Sequence, residues 1–320
     1  GGPRKPRLPI VVVSGHVDHG KTTFLDYVRK SRVASKEKGG ITQHLGAYEA
    51  KTRHGGIVFL DTPGHEAFSL MRVRVFKVAD LSILIIAADD GIMPQTIEAL
   101  KHAKAVGLPI IVAINKVDKV SLAQVETIKR SLAQYELIPE DWGGSTIVMP
   151  ISAKTGQGID ELLDVVVLQS QLMELFAYEK VPARGYVLES KMEKGRGPVA
   201  TVICQHGYLK VGDQFVTGNI SGKVSSLVDS CGVRVQQVGP SIPVQVAGFS
   251  ELPEVGQLFQ VVSAQDLKKF KSSSVQDLAG SASTLKPSVN ENSIAIIVKT
   301  DNISSRDALL GAISRFSNKF

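Results

Sequence analysis

The stretch GHVDHGKTT, residues 15–23, limits the possible folds more tightly than any other part of the chain. Gly15, Gly20, Lys21 and Thr22 match the spacing GxxxxGK[ST]; the match follows an apolar run, IVVVS at 10–14, and opens a helix-compatible stretch at about 21–30. In that setting the glycines permit a tight turn, the N–H groups of 18–23 point into it, and the helix N-terminus adds positive potential. Asp18, His19, Gly20, Lys21, Thr22 and Thr23 are therefore expected around a di- or triphosphate, with Lys21 reaching the β and γ phosphates and the Thr22 hydroxyl on Mg²⁺. A metal site built from His16, Asp18 and His19 is the competing reading, but it needs those side chains to converge, whereas a phosphate loop keeps its concave face for backbone. The phosphate reading is the stronger, and Asp18 can still help to hold a monovalent cation there.

The rest of the first half supplies the surroundings such a loop needs. IVVVS (10–14), GIVFLD (56–61), LSILIIAA (81–88), PIIVAIN (109–115) and TIVMP (146–150) read as buried strands without polar alternation. Helical stretches are expected at 66–77, 94–105, 121–135 and 158–176, and YEAKTRHGGIVFLD (48–61) reads as a hairpin turning at RHGG. This order predicts an α/β domain with a mostly parallel sheet over residues 9–178. From 179 to 263 short valine-rich runs broken by Gly, Asp and Pro predict an all-β barrel. Residues 1–8 read as a linker preceded by a cloning scar, and the polar, Ser-rich 264–290 as a second linker. SIAIIVKT and SSRDALLGAISRF, within 291–320, predict the first βα unit of a truncated third α/β domain, since one such unit cannot bury its own apolar face.

Composition excludes several classes. With 320 residues, 43% of them hydrophobic and 21% charged, and no apolar run long enough to cross a bilayer, no membrane role is expected. The two cysteines, Cys204 and Cys231, lack ligand spacing, so neither a zinc module nor a disulfide framework is expected and a reducing, cytoplasmic setting is the default. The net charge of +6 favours nucleic acid without demonstrating it.

Three further motifs fall after successive strands. DTPG (61–64) places Asp61 to hold Mg²⁺ through water and the Gly64 N–H against a γ-phosphate. NKVD (115–118) gives Asp118 a carboxylate to accept both N–H groups on the guanine edge, while Asn115 ties the base loop to the phosphate loop. Adenine lacks that donor pair and would leave Asp118 unpaired, a mismatch of the kind that gives roughly 10⁴-fold rejection. SAK (152–154) brings Ser152, offers the Ala153 N–H to guanine O6, and lets Lys116 and Lys154 lay their stems along the base. GTP or GDP with Mg²⁺ is the expected ligand. A P-loop kinase or ATPase is disfavoured by Asp118.

GHVDHGKT with DTPGH resembles the translational GTPases. GGITQHLGAY (39–48), DTPGHEAF (61–68), AADDGIMPQTIEALKHAKAVGLPIIVAINKVDK (87–119) and SAKTGQGIDELLD (152–164) are similar to bacterial-type translation initiation factor two. MEKGRGPVATVICQHGYLKVGD (192–213) and GPSIPVQVAGFSELPEVGQLFQVV (239–262) resemble its second domain, and IAIIVKTDNISSRDALLGAISRF the opening of its third. The resemblance implies a GTPase with Thr42 in switch I closing on Mg²⁺ and the γ-phosphate, and with His65 orienting the attacking water. The position of His65, directly after Gly64, suits that role. Val17 and Ile41 match an apolar gate in front of that histidine. No arginine is placed as a finger in cis, so hydrolysis is expected to be slow without a partner. That partner, by the resemblance, is the ribosome, its RNA and proteins, acting on a monomeric cytoplasmic factor, or an organellar one, with initiator tRNA held only by a C-terminal module outside this sequence. The departures are Ser14 where the family usually has Met, VRVFKVADLS (73–82) in place of an arginine–glycine–alanine run after switch II, and a linker shorter and less basic than the family's. The archaeal and eukaryotic counterpart, initiation factor five B, shares GGITQH. A GTP-gated binding module with negligible turnover is the rival of a different class, and retention of Thr42 and His65 weighs against it.

Overall fold

The computed structural model describes residues 3–32, 46–61 and 75–270. The expectations for Ile41, Thr42, Gly64, His65 and the third βα unit lie outside the described residues.

The apolar runs become strands of one six-stranded sheet, because each is flanked by helices that cover both of its faces. In chain order these are β2 (Ile10–Gly15), β3 (Ala47–Thr52), β4 (Gly55–Asp61), β5 (Leu81–Ala87), β6 (Ile110–Asn115) and β7 (Ile147–Pro150), arranged β3-β4-β2-β5-β6-β7. All pairings are parallel except β3 with β4, which is the hairpin expected from RHGG. Alternate residues of β2 enter opposite cores. Val11 and Val13 pack with α1 (Lys21–Arg32) and α4 (Ile159–Leu172), while Ile10 and Val12 share a cluster with α2 (Pro94–Ala105) and α3 (Leu122–Ala133). That two-sided burial explains the absence of polar alternation in the strand sequences.

Beyond residue 180 the strands β9 (Arg184–Glu193), β10 (Gly197–His206), β11 (Gln214–Thr217), β12 (Ile220–Asp229), β13 (Pro243–Phe249) and β14 (Leu258–Val261) close into a six-stranded antiparallel barrel. The ring is completed by the β11–β12 pairing. Phe215, Phe249 and Phe259 fill its interior, with the Phe215 ring 4.7 Å from Phe259 and 4.8 Å from Phe249.

Three expectations need correction. Within the linker expected over 1–8, residues 4–7 are held in place: β1 (Arg4–Pro6) pairs antiparallel with β8 (Phe176–Tyr178), and Arg7 makes a double hydrogen bond to Asp80 at 2.7 Å. The helix expected over 158–176 stops at Leu172, because Phe176–Tyr178 is taken up in that strand pairing. The start of the 264–290 linker is helical at 264–270, where Ser263 caps the turn by accepting the Asp266 N–H at 3.1 Å. The short helical turn at 75–78 buries Val75 and Phe76 and leaves Lys77 exposed.

Candidate functional site: a nucleotide cleft at the carboxyl edge of the sheet

Parallel strands bring all their carboxyl ends to one edge, which is where ligands bind in open α/β sheets. Gly15, Asp61, Ala87, Asn115 and Pro150 end their strands there. From Gly15 the chain passes through a tight turn, Val17–His19, and a left-handed Gly20 (φ +89°) into α1. A side chain at Gly20 would put its Cβ 2.2 Å from the Asn115 amide nitrogen, so only glycine lets the two loops approach this closely.

Asn115, 2% exposed, is the hub of the edge. Its Nδ2 donates to the His19 carbonyl at 2.8 Å and its Oδ1 accepts the Ala153 N–H at 2.9 Å, which joins the phosphate loop, the NKVD loop and the SAK loop through one side chain. Lys116 holds a left-handed backbone (φ 66°), a conformation costing about 1 kcal/mol or more for a non-glycine residue. Its Nζ donates to the Asp18 carbonyl at 2.8 Å and lies 3.7 Å from Asp89. Ser152 Oγ donates to Asp118 Oδ1 at 2.8 Å and accepts the Thr155 N–H at 3.3 Å, which fixes the carboxylate and leaves its other lone pairs for a ligand. These loops enclose a cleft of about 200 Å³ lined by Gly20, Thr23, Asn115, Lys116, Asp118 and Ala153 together with Lys119, Ser152 and Lys154.

At the other end, Lys21 is buried and its Nζ sits 2.9 Å from Asp61 Oδ1. Thr22 and Thr23 are exposed at the start of α1. A lysine against a carboxylate, with a threonine hydroxyl in the first turn of the adjoining helix, is the set expected for a phosphate-bound Mg²⁺. The residues present fit that ion: Thr22 and Asp61 would hold it, and it would neutralise phosphate charge. Among the described residues no group of three His, Cys, Asp or Glu side chains forms a metal site of its own, and His16 and His19 lie ring to ring at 4.7 Å rather than around a common point.

Three expected donors are engaged elsewhere. The Ala153 N–H, expected to meet guanine O6, belongs to Asn115 Oδ1, because the hub needs that bond to close the SAK loop. The Asp18 and His19 N–H groups, expected to face phosphate, go instead to His16, at Nδ1 (3.2 Å) and at the carbonyl (3.1 Å). The loop is thus held by its own contacts, and the N–H groups at Gly20–Thr23 are the ones that the helix start leaves without intrahelical acceptors. Val17 is exposed. The sequence reading missed Lys119, Asp89 and Asp90; the last two lie in AADDG, which had a family resemblance but no assigned chemistry.

His19 itself is fully buried, and neither ring nitrogen has a hydrogen-bond partner. Its Nε2 lies 3.4 Å from Asp90, too weak a contact to offset desolvation. Burial first, and the neighbouring His16 second, push its pKa down from 6.5 to about 4.

With this geometry in hand, comparison with known proteins is decisive. Residues 6–171 match the model of the elongation factor Tu GTP binding domain, and residues 182–262 that of elongation factor G domain 2. The chain belongs to the family of the elongation factor Tu GTP binding domain. It is 47% identical over 326 residues to translation initiation factor IF-2 of Moorella thermoacetica, covering 98% of the chain and 36% of that protein. It is 55% identical over 265 residues to IF-2 of Desulfovibrio desulfuricans, covering 83% of the chain and 26% of that protein. The chain therefore spans roughly a third or less of the length of these relatives. Among solved structures it resembles GDP-bound aIF5B from Aeropyrum pernix, with TM-score 0.70 and 30% identity over 98% of this chain and 63% of that one. It also resembles a bacterial selenocysteine-specific elongation factor, with TM-score 0.62 and 26% identity over 80% of this chain and 45% of that one. The resemblance to initiation factor two thus holds across the GTP-binding domain and the barrel, with two factors of that name among the curated relatives.

The buried, neutral His19 gives this domain an acid sensitivity of predictable sign. Protonation favours the unfolded chain, so the stability contributed by the neutral ring is complete above pH 6.5 and is lost as pH falls from 6.5 towards 4. Melting temperatures measured across that window should fall more steeply for the parent chain than for His19→Gln. Parallel slopes would contradict the assignment.

Proposed function

We propose that this chain binds GTP and GDP with Mg²⁺ and hydrolyses GTP as the GTPase portion of a bacterial-type translation initiation factor. The observation that carries the reading is the cleft in which Asp118, oriented by Ser152, faces the space between Lys116 and Lys154 and is tied through Asn115 to the phosphate loop. A guanine edge offers Asp118 two N–H donors, the stems of Lys116 and Lys154 flank the ring, and Lys21 leaves Asp61 to take up phosphate oxygens. With Ala153 N–H held by Asn115, guanine O6 shares that donor or uses the next N–H in the SAK loop.

For hydrolysis, Thr42 would close on Mg²⁺ and the γ-phosphate, the Gly64 N–H would read that phosphate, and His65 would orient the attacking water behind the Val17 and Ile41 gate. With no arginine placed by the sequence as a finger in cis, intrinsic turnover would be slow and the ribosome would supply the missing alignment. In the whole protein GTP would favour subunit joining, and hydrolysis would lower ribosome affinity. The barrel would rest on ribosomal RNA through lysine and arginine contacts to phosphates. Initiator tRNA placement would need a part of the relatives that this chain does not span, and the chain itself would act as a monomer in the cytoplasm or in an organellar matrix or stroma. No helix among the described residues is long and apolar enough to cross a membrane. Identities of 47% and 55% to the two IF-2 relatives, against 30% to the archaeal aIF5B, support the bacterial type over the archaeal and eukaryotic one.

Replacing Asp118 with Asn removes the acceptor pair for the guanine N1 and N2 donors, so competition titrations should show preference moving from guanosine to xanthosine diphosphate by about 10² or more. Retained guanosine preference would refute the base assignment. For His65→Ala, GTP affinity should stay within about threefold while ribosome-stimulated phosphate release falls by about 10² or more; a matching loss of both would show that His65 serves binding rather than turnover.

A further inference from the structure

The segment before the first buried strand touches the GTP-binding domain, the connection between the domains and the barrel. β1 lies along β8, the connection between the two domains, with Arg4 opposite Tyr178 and Pro6 opposite Phe176. The Arg4 guanidinium lies 4.5 Å from the centre of the Phe176 ring, and Lys5 pairs with Glu179 at 2.6 Å. Those two connection residues lead directly into the barrel: the Tyr178 N–H donates to His206 Nδ1 at 3.2 Å, and Glu179 accepts the Tyr208 hydroxyl at 3.0 Å.

One turn further on, Arg7 and Asp80, each 9% exposed in their side chains, form a paired interaction that also collects the Ile10 N–H at 2.8 Å. A charge pair this far from water is stable only when its remaining hydrogen bonds are made. Part of that satisfaction comes from the barrel. Ser241, a barrel residue with a left-handed backbone (φ 66°), lies with its Oγ 3.4 Å from Arg7 and donates to the Leu8 carbonyl at 2.8 Å. Its N–H is held by the Cys204 carbonyl at 2.6 Å, which anchors the strained residue to β10. Asp80 follows the helical turn 75–78, and Val75 and Phe76 from that turn share an apolar cluster with Leu188 and Ile203 of the barrel.

We propose that residues 4–8 are a brace that fixes the orientation of the barrel on the GTP-binding domain, so that whatever acts on the chain just before residue 4 acts on the angle between the two domains. The alternative, that the segment only completes the GTP-binding domain, does not account for Ser241: a strained backbone on another domain, reaching a carbonyl and a guanidinium in the segment. Motion between domains is the default unless their interface is extensive; the apolar part of this one, Leu188 and Ile203 with the half-buried Tyr186 and Ile242, is non-directional, whereas the polar contacts of residues 4–8 set a direction.

The test uses the native exposed thiol of Cys231 and a second label at Lys101→Cys, on the exposed face of α2, with pulsed electron–electron resonance reading the distance between barrel and GTP-binding domain. Arg4→Ala/Lys5→Ala/Ser241→Ala leaves the Arg7–Asp80 pair intact. It should broaden the distance distribution by about twofold or more, while GDP affinity stays within about threefold of the parent. Arg7→Ala should broaden it further; if that variant fails to fold, the triple variant alone decides. A distribution as narrow as the parent's in the folded triple variant overturns the proposal, and so does broadening accompanied by a parallel loss of GDP binding, which would place the damage in the nucleotide domain itself. Loss of GDP binding by the unaltered labelled chain, with the brace effect intact, would instead count against the nucleotide reading alone.

Discussion

The candidate site depends on one buried amide. Asn115 donates to the His19 carbonyl and accepts from the Ala153 N–H, both within 2.9 Å and away from water. Without it, the three loops would be joined only by the partly exposed Lys116 bond to the Asp18 carbonyl and the Ser152 bond to Asp118. Removing one partner of a buried hydrogen bond costs about 1–3 kcal/mol because the other is left unsatisfied, so this side chain has a cooperative leverage that a surface contact lacks. Its surroundings are shaped to protect it: Gly20 has no Cβ where one would collide with the amide, and β6 delivers Asn115 from a strand that is almost entirely buried.

The parallel sheet performs the larger positioning. Because β2, β4, β5, β6 and β7 all end on one edge, a lysine at the start of α1 meets an aspartate at the end of β4, and the Asp118 carboxylate after β6 lies on that same edge, although the chain between them is long. The same arrangement places the described ends of the segments 33–45 and 62–74, at Gly46, Asp61 and Val75, beside Leu188, Glu189 and Thr201 of the barrel, around one shared pocket. Glu189 there has its pKa raised by desolvation, a sign of how little water reaches that boundary. A change of backbone at the phosphate end therefore has a short physical path to the barrel.

Much of this was legible in the sequence, for identifiable reasons. Uninterrupted apolar runs named five strands; in β2, β4, β5 and β6 burial on two faces removes polar alternation, whereas TIVMP, expected to be buried, is the half-exposed edge strand β7, and the glycine-lysine-threonine spacing named the loop between β2 and α1. The base-side residues Asn115, Lys116, Asp118, Ser152, Ala153 and Lys154 converge as their motifs imply. What the sequence hid is contact across long separations. The Pro- and Arg-rich start looked like a linker because its partners, Phe176–Tyr178, Asp80 and Ser241, lie 73 to 234 positions away. The fate of the Ala153 N–H was equally invisible, since a motif specifies which groups are near one another but not which of two acceptors takes a shared donor. His19 looked like a ligand contact from its place in the loop, yet its ring is turned into the protein and only its backbone belongs to the site.

The account stands or falls on whether the Asn115 tie prepares the cleft for a guanine nucleotide, and calorimetric titration of Asn115→Ala with GDP measures this directly. Loss of two buried hydrogen bonds should weaken GDP binding by about 30-fold or more, in a chain whose barrel and sheet remain folded by circular dichroism. GDP bound as tightly by the folded variant as by the parent would contradict it.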